Sequence, residues 1–280
     1  MTRLAFLLAL AAAFAQDQPK PPDRCREAIE TALHDKNPDT RLQAVVALSL
    51  SSAGHPWTET VAGMLDDKDV QVRVAAVSSL VDLKGPDARK ALHKALNDDV
   101  PEVAFAAARA LYSLGDPAGK DALLAVLAGE MKTKSGFFTT QKRDAMRMMH
   151  TPRTLFLFVL KTGAGFVPLP GFGAGVSSME AIVNDPGTSG RAAAALLLGK
   201  EKDAVTQQAL KDALADSNWS VRAAAVHSIA LRNDPSQKNE ILPLLDDKTQ
   251  AVRLRAAVGW LRLDSIGSAR RRARKPAQKS

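Results

Sequence analysis

The sequence predicts an all-α fold: an α-solenoid of about seven stacked helix pairs, interrupted in the middle by an irregular apolar insertion. Three observations carry this expectation. A signature of the form Arg-x-x-Ala-x-x-x-Leu returns at intervals of about 31 residues. The composition is 46% apolar but only 5% aromatic, which suits helices packed closely through small side chains. That apolar content excludes wholesale disorder, and a β-sandwich would need β-branched and aromatic strands. Cys25 is the only cysteine, which excludes an internal disulfide framework and a thiolate zinc cage.

The first element is a leader. Arg3 precedes the uncharged run Leu4–Phe14, and Ala13-Phe14-Ala15 forms an A-x-A pattern before Gln16. Charge, apolar core and small-residue site together predict a signal peptide over 1–15, cleaved near Ala15. The apolar run falls short of the ~20 residues that span a bilayer. The chain is thus expected to be exported, to the periplasm or the extracellular space. Pro22-Asp23-Arg24 precedes Cys25 where a lipoprotein would carry small residues, so no lipid anchor is expected. Residues 16–23 read as a linker.

The repeats follow. The signature stands at Arg41/Ala44/Leu48, Arg73/Ala76/Leu80 and Arg191/Ala194/Leu198, with relaxed copies at Ala104/Ala107/Leu111, Arg222/Ala225/Ile229 and Arg253/Ala256/Trp260. Offsets of three and seven put each trio on one helical face. Eight residues before each first position, an apolar residue precedes turn formers, as in Leu33-His34-Asp35, Leu65-Asp66-Asp67 and Leu245-Asp246-Asp247. Asp and Asn there end one helix and cap the next, because their short side chains accept from free backbone N–H groups. Each unit is therefore a helix, a short turn and a second helix. One such hairpin cannot bury its apolar face alone, so neighbours must stack.

The segment Asp69-Val70-Gln71-Val72-Arg73-Val74-Ala75-Ala76-Val77-Ser78-Ser79-Leu80 resembles the HEAT-repeat family, in particular the short repeats with a D-x-x-V-R-x-x-A-x-x-x-L core found in phycobilin-lyase-type proteins and in exported bacterial HEAT-repeat domains. Ser217–Ala225 is similar to the same core. The resemblance implies an N-terminal block of repeats over 24–128 and a C-terminal block over 176–264. It implies a structural ladder from each Arg to an Asp, and a curved surface that serves as a protein-interaction scaffold without catalysis. Ala104 and Trp260 depart from the pattern. The resemblance also admits a HEAT-like lyase or chaperone-lyase, against which stand the leader and the lack of a catalytic constellation.

Between the blocks, 129–175 reads as a degenerate repeat plus an insertion. Helices are expected at Thr140–His150 and Pro152–Lys161, an irregular loop at Gly163–Gly175, and a helix from Val176 to Val183. Leu155-Phe156-Leu157-Phe158-Val159-Leu160 is apolar all round, so it must be covered by protein, lipid or a partner. Three readings stand: a plug on the solenoid, a partner-binding loop, or an interfacial membrane loop. The candidate contacts are Phe166, Leu169 and Phe172.

The chain ends in a basic tail, 265–280, expected to be disordered. Arg270, Arg271, Arg272, Arg274, Lys275 and Lys279 stand there without one acid. Without these and Arg3, 31 of the 38 bases remain against 30 acids, so most of the net charge of +8 belongs to the tail. It marks no specific nucleic-acid face on the fold. Arg270, Arg271, Arg272 and Arg274 either solubilise the end or contact an anionic envelope surface. No catalytic, metal or cofactor site is expected. The glycines of 163–175 match neither G-x-G-x-x-G nor G-K-[ST], and His34, His55, His93, His150 and His227 include no H-E-x-x-H. Asn218-Trp219-Ser220 fits an N-glycosylation pattern, but its place in a turn favours helix capping.

Overall fold

A computed structural model of the chain describes residues 20–51, 57–127 and 190–274, and every element in them is helical. The helices are α1 Pro21–Leu33, α2 Pro38–Leu48, α3 Trp57–Gly63, α4 Val70–Leu83, α5 Gly85–Ala95, α6 Pro101–Ser113 and α7 Pro117–Leu127. After the undescribed stretch come α8 Gly190–Leu197, α9 Ala204–Ala213, α10 Trp219–Leu231, α11 Lys238–Ile241 and α12 Gln250–Arg274. Short 3₁₀ turns extend α3 and α8 and flank α11.

Local chemistry starts these helices where the turn formers stand. Pro opens α1, α2 and α6, where a missing N–H costs nothing. Asn37, Asp69, Asp203 and Asn218 cap α2, α4, α9 and α10 through side-chain oxygens that accept backbone N–H bonds. Asn218 accepts from both the amide and the hydroxyl of Ser220, at 2.9 Å each, so the glycosylation pattern is occupied by capping. Gly119 of α7 lies where a Cβ would come 2.2 Å from the Tyr112 amide nitrogen, which lets α7 cross α6 at backbone contact.

The second helices of the pairs pack side by side in one row, in the order α8, α10, α12, α2, α4, α6. Their partners α9, α11, α1, α3 and α5 lie against them as a second layer, and α7 packs on α6. Four of these five contacts join neighbours along the chain, and the fifth joins the last pair to the first, because α12 packs on both α1 and α2. Burial confirms the placement. All residues of α2 from Thr40 to Leu48 are buried, as are all of α10 from Ser220 to Ala230. A terminal helix of a stack keeps one side open to solvent; α2 is flanked by α12 and α4 instead.

Three expectations are corrected. Residues 265–274 are helical rather than a disordered tail. Gly267 seats closely against Pro235, Arg270 donates to the Asn233 carbonyl at 3.1 Å, and arginines suit a helix C-terminus. The linker gives way to helix at Pro21 rather than Arg24, since Pro21 and Pro22 fit the first turn. Leu198 is not core: α8 tightens into a 3₁₀ turn at Leu198–Lys200, leaving Leu198 42% exposed, while Ala192, Ala195 and Leu196 are buried. The expected helices at Thr140–His150, Pro152–Lys161 and Val176–Val183, and the loop Gly163–Gly175, lie outside the described residues.

Candidate functional site

The repeating charge is built as a ladder along the row. Arg41 Nε and Nη2 donate to the two carboxylate oxygens of Asp67 at 2.7 Å each, and Nη1 donates to the carbonyls of Asp35 at 2.9 Å and Lys36 at 3.2 Å. Arg222 repeats this on Asp247, at 2.6 and 2.8 Å, and on the carbonyls of Asp216 and Ser217. Arg73 reaches Asp98 at 3.1 Å and Asp99 at 3.2 Å, and Arg191 bonds Asp216. Arg253 makes the backbone half alone, to the Asp247 carbonyl at 2.7 Å. Burial works to raise the Asp67 and Asp247 carboxyls. The guanidinium bonds and the amides of Asp69 and Thr249 outweigh it and hold both below the usual carboxylate range. Each of these carboxylates accepts three hydrogen bonds, two of them from a guanidinium of the preceding repeat, and so fixes repeat to repeat.

On the side of the row helices opposite the ladder stands a second polar set. Two, five and nine residues after the ladder position lie Arg255, His227 and Arg262, with Arg109 and Asp82 at the same offsets in α6 and α4. His227 and Arg255 are 8% and 3% exposed. Burial, reinforced by the charges of Arg255 and Arg262, lowers the His227 imidazole to about 3, so it is neutral. Burial alone brings Arg255 down to about 10. Arg262 donates to Asn233 Oδ1 at 2.8 Å and to the Leu50 carbonyl at 2.7 Å, spanning α10, α12 and the end of α2. Asp82 is half-buried, and desolvation, partly offset by Lys84, raises its carboxyl to about 7. The sequence signature missed this set because it tracked the opposite helix face. The signal that would find it is a charged or imidazole residue nine or five positions beyond a ladder Arg, where apolar residues otherwise dominate.

Two other described histidines bond within the repeats. His34 Nδ1 bonds the Glu30 carbonyl at 2.9 Å, and His93 Nε2 bonds Asp116 at 3.0 Å. Among the described residues, no group of three or more His, Cys, Asp and Glu could hold a metal ion. No described helix is long and apolar enough to cross a membrane. Cys25 is fully buried, and burial pushes its thiol up to about 12, which keeps it protonated and inert.

Of the candidate contacts, Arg270, Arg271 and Arg272 sit exposed on the last turns of α12. Arg271 donates to Ser268 Oγ at 2.9 Å. Arg274 ends the helix. Phe166, Leu169 and Phe172 lie outside the described residues.

No curated protein matches this chain. The model of the family described as HEAT repeats matches residues 58–131 and 177–262, more than half of the chain. With the helix pairs, the one-per-repeat ladder and this match in agreement, the chain belongs to the HEAT-repeat family.

Proposed function

We propose that this protein is an exported, non-enzymatic protein-interaction scaffold of the cell envelope. Repeats of this family typically mediate protein interaction. The observation that carries the reading is the continuous row of six second helices, which offers an extended and rigid surface rather than a pocket with converging reactive groups. The ladder carboxylates and the buried His227 are committed to structure, which supports the absence of catalysis. Export rests on the leader pattern of Arg3, Leu4–Phe14 and Ala13-Phe14-Ala15. The test is fractionation of cells expressing the full chain, with N-terminal sequencing of the protein in the envelope fraction, followed by affinity capture on the mature chain. Mature protein beginning at Gln16, and a partner whose capture is lost when exposed row residues are changed, support the proposal. Cytoplasmic protein with an intact Met1 ends it.

A second reading is favoured by Arg270, Arg271 and Arg272, three exposed guanidiniums on one helix end: contact with an anionic envelope surface. Each contributes on the order of 1 kcal/mol near an anionic bilayer before screening. Co-sedimentation with vesicles containing phosphatidylglycerol should be strong at low salt, and it should fall steeply toward 0.5 M salt as the Debye length shrinks. Equal sedimentation after the three are changed to Ala would dismiss it.

A further inference from the structure

The two halves of the chain meet at a junction that closes the row in its middle. Residues separated by more than two hundred positions touch there. Arg24 pairs with Asp246 at 2.6 Å, Thr40 donates to Gln250 at 3.3 Å, and Arg262 donates to the Leu50 carbonyl at 2.7 Å. Beneath these contacts, α12 lies on α1 and α2, and Cys25, Ile29, Leu48 and Leu263 are fully buried. Cys25 belongs to this seam: Asp264 of α12 is close enough for its charge to act on the thiol.

We propose that this junction is a clasp, an interface on α12 that fits the α1–α2 pair and holds the two halves together without help from the covalent link between α7 and α8. Among the described residues the seam buries every residue of α2 from Thr40 to Leu48 and leaves Cys25 no exposure, so an apolar core is closed between α12 and the α1–α2 pair. Arg262 also ties three helices from both halves at one point, through acceptors that have no charge of their own to desolvate.

The test uses the full chain with a specific protease site placed between residues 163 and 175 and cut under native conditions. After the cut, both fragments should co-elute at the size of the intact protein, retain its helical circular dichroism, and keep Cys25 unreactive toward a thiol reagent. Arg24→Ala combined with Arg262→Ala should weaken fragment association about tenfold or more, since charged hydrogen bonds across the seam are lost. The uncut double variant should still fold, which its circular dichroism would report. Fragments of the unaltered chain that separate at micromolar concentration, or a Cys25 that reacts as soon as the link is cut, would overturn the proposal. So would fragment association that the double variant leaves unchanged.

Discussion

At the scale of single residues, the difference that matters is between buried and exposed rungs of the ladder. The side chains of Arg41 and Asp67 are 6% and 8% exposed, and those of Arg222 and Asp247 are alike. Removing one partner strands a desolvated charge, so Arg41→Ala or Arg222→Ala should cost about 3–5 kcal/mol in denaturant unfolding. The Arg191 side chain is 64% exposed, and Arg191→Ala should cost less than about 1 kcal/mol. Asp82 gives a pH signature of opposite sign to the ladder. Its folded carboxyl titrates near 7 against an ordinary value of 3.8, so between those values the native state binds more protons than the unfolded chain. Stability therefore falls as pH rises through that window. Asp82→Asn should flatten the slope and stabilise the protein at pH 8 by roughly 1–3 kcal/mol, measured by urea melts at pH 4.5 and 8. The ladder was legible in the sequence, because a charge recurring once per repeat has few other uses. His227, Arg255 and Arg262 were not. Their offsets recur in only some repeats, at Arg109 and Asp82, and their burial depends on which helices the row brings together.

At the scale of elements, the helices follow from their punctuation. Pro38, Pro101 and Pro117 open helices, and Asn37, Asp69 and Asn218 cap them, all at the positions the turn clusters mark. The period placed Leu80 and Leu111 in the core, and both are fully buried. Either changed to Ala should cost roughly 2–5 kcal/mol. The same substitution at Leu198 should fall within about 0.5 kcal/mol, the range of surface changes. The period could not foresee that α8 tightens into a 3₁₀ turn and rotates Leu198 off the buried face. Nor did charge density mark the end of α12 correctly. Six bases read as a solvated tail, yet arginine is a good helix former and the helix dipole favours cations at that end. Truncation after Ala269 should leave the melting temperature nearly unchanged, because the Arg270 contact to Asn233 is exposed.

At the scale of the whole molecule, the stack was legible and the contact of its last pair with its first was not. A 31-residue period says that each hairpin packs on another; it does not say which. The sequence does carry a hint. The run Leu42–Leu50 of the first pair is uncharged and mostly apolar, with only Gln43 and Ser49 polar, whereas a repeat that ends a stack carries a polar outer side. The account rests on that order, with α12 seated between α10 and α2. The most direct measurement is a distance between spin labels on Cys residues at Asp23 and Lys248, both exposed, in a chain with Cys25 replaced by Ala. With the last pair packed on the first, the distribution should centre below about 20 Å, a span of two helix spacings of 8–10 Å. A last pair held apart from the first, at the far end of an open row, would put the labels some six spacings apart, and a distribution centred at about 50–60 Å would contradict the account.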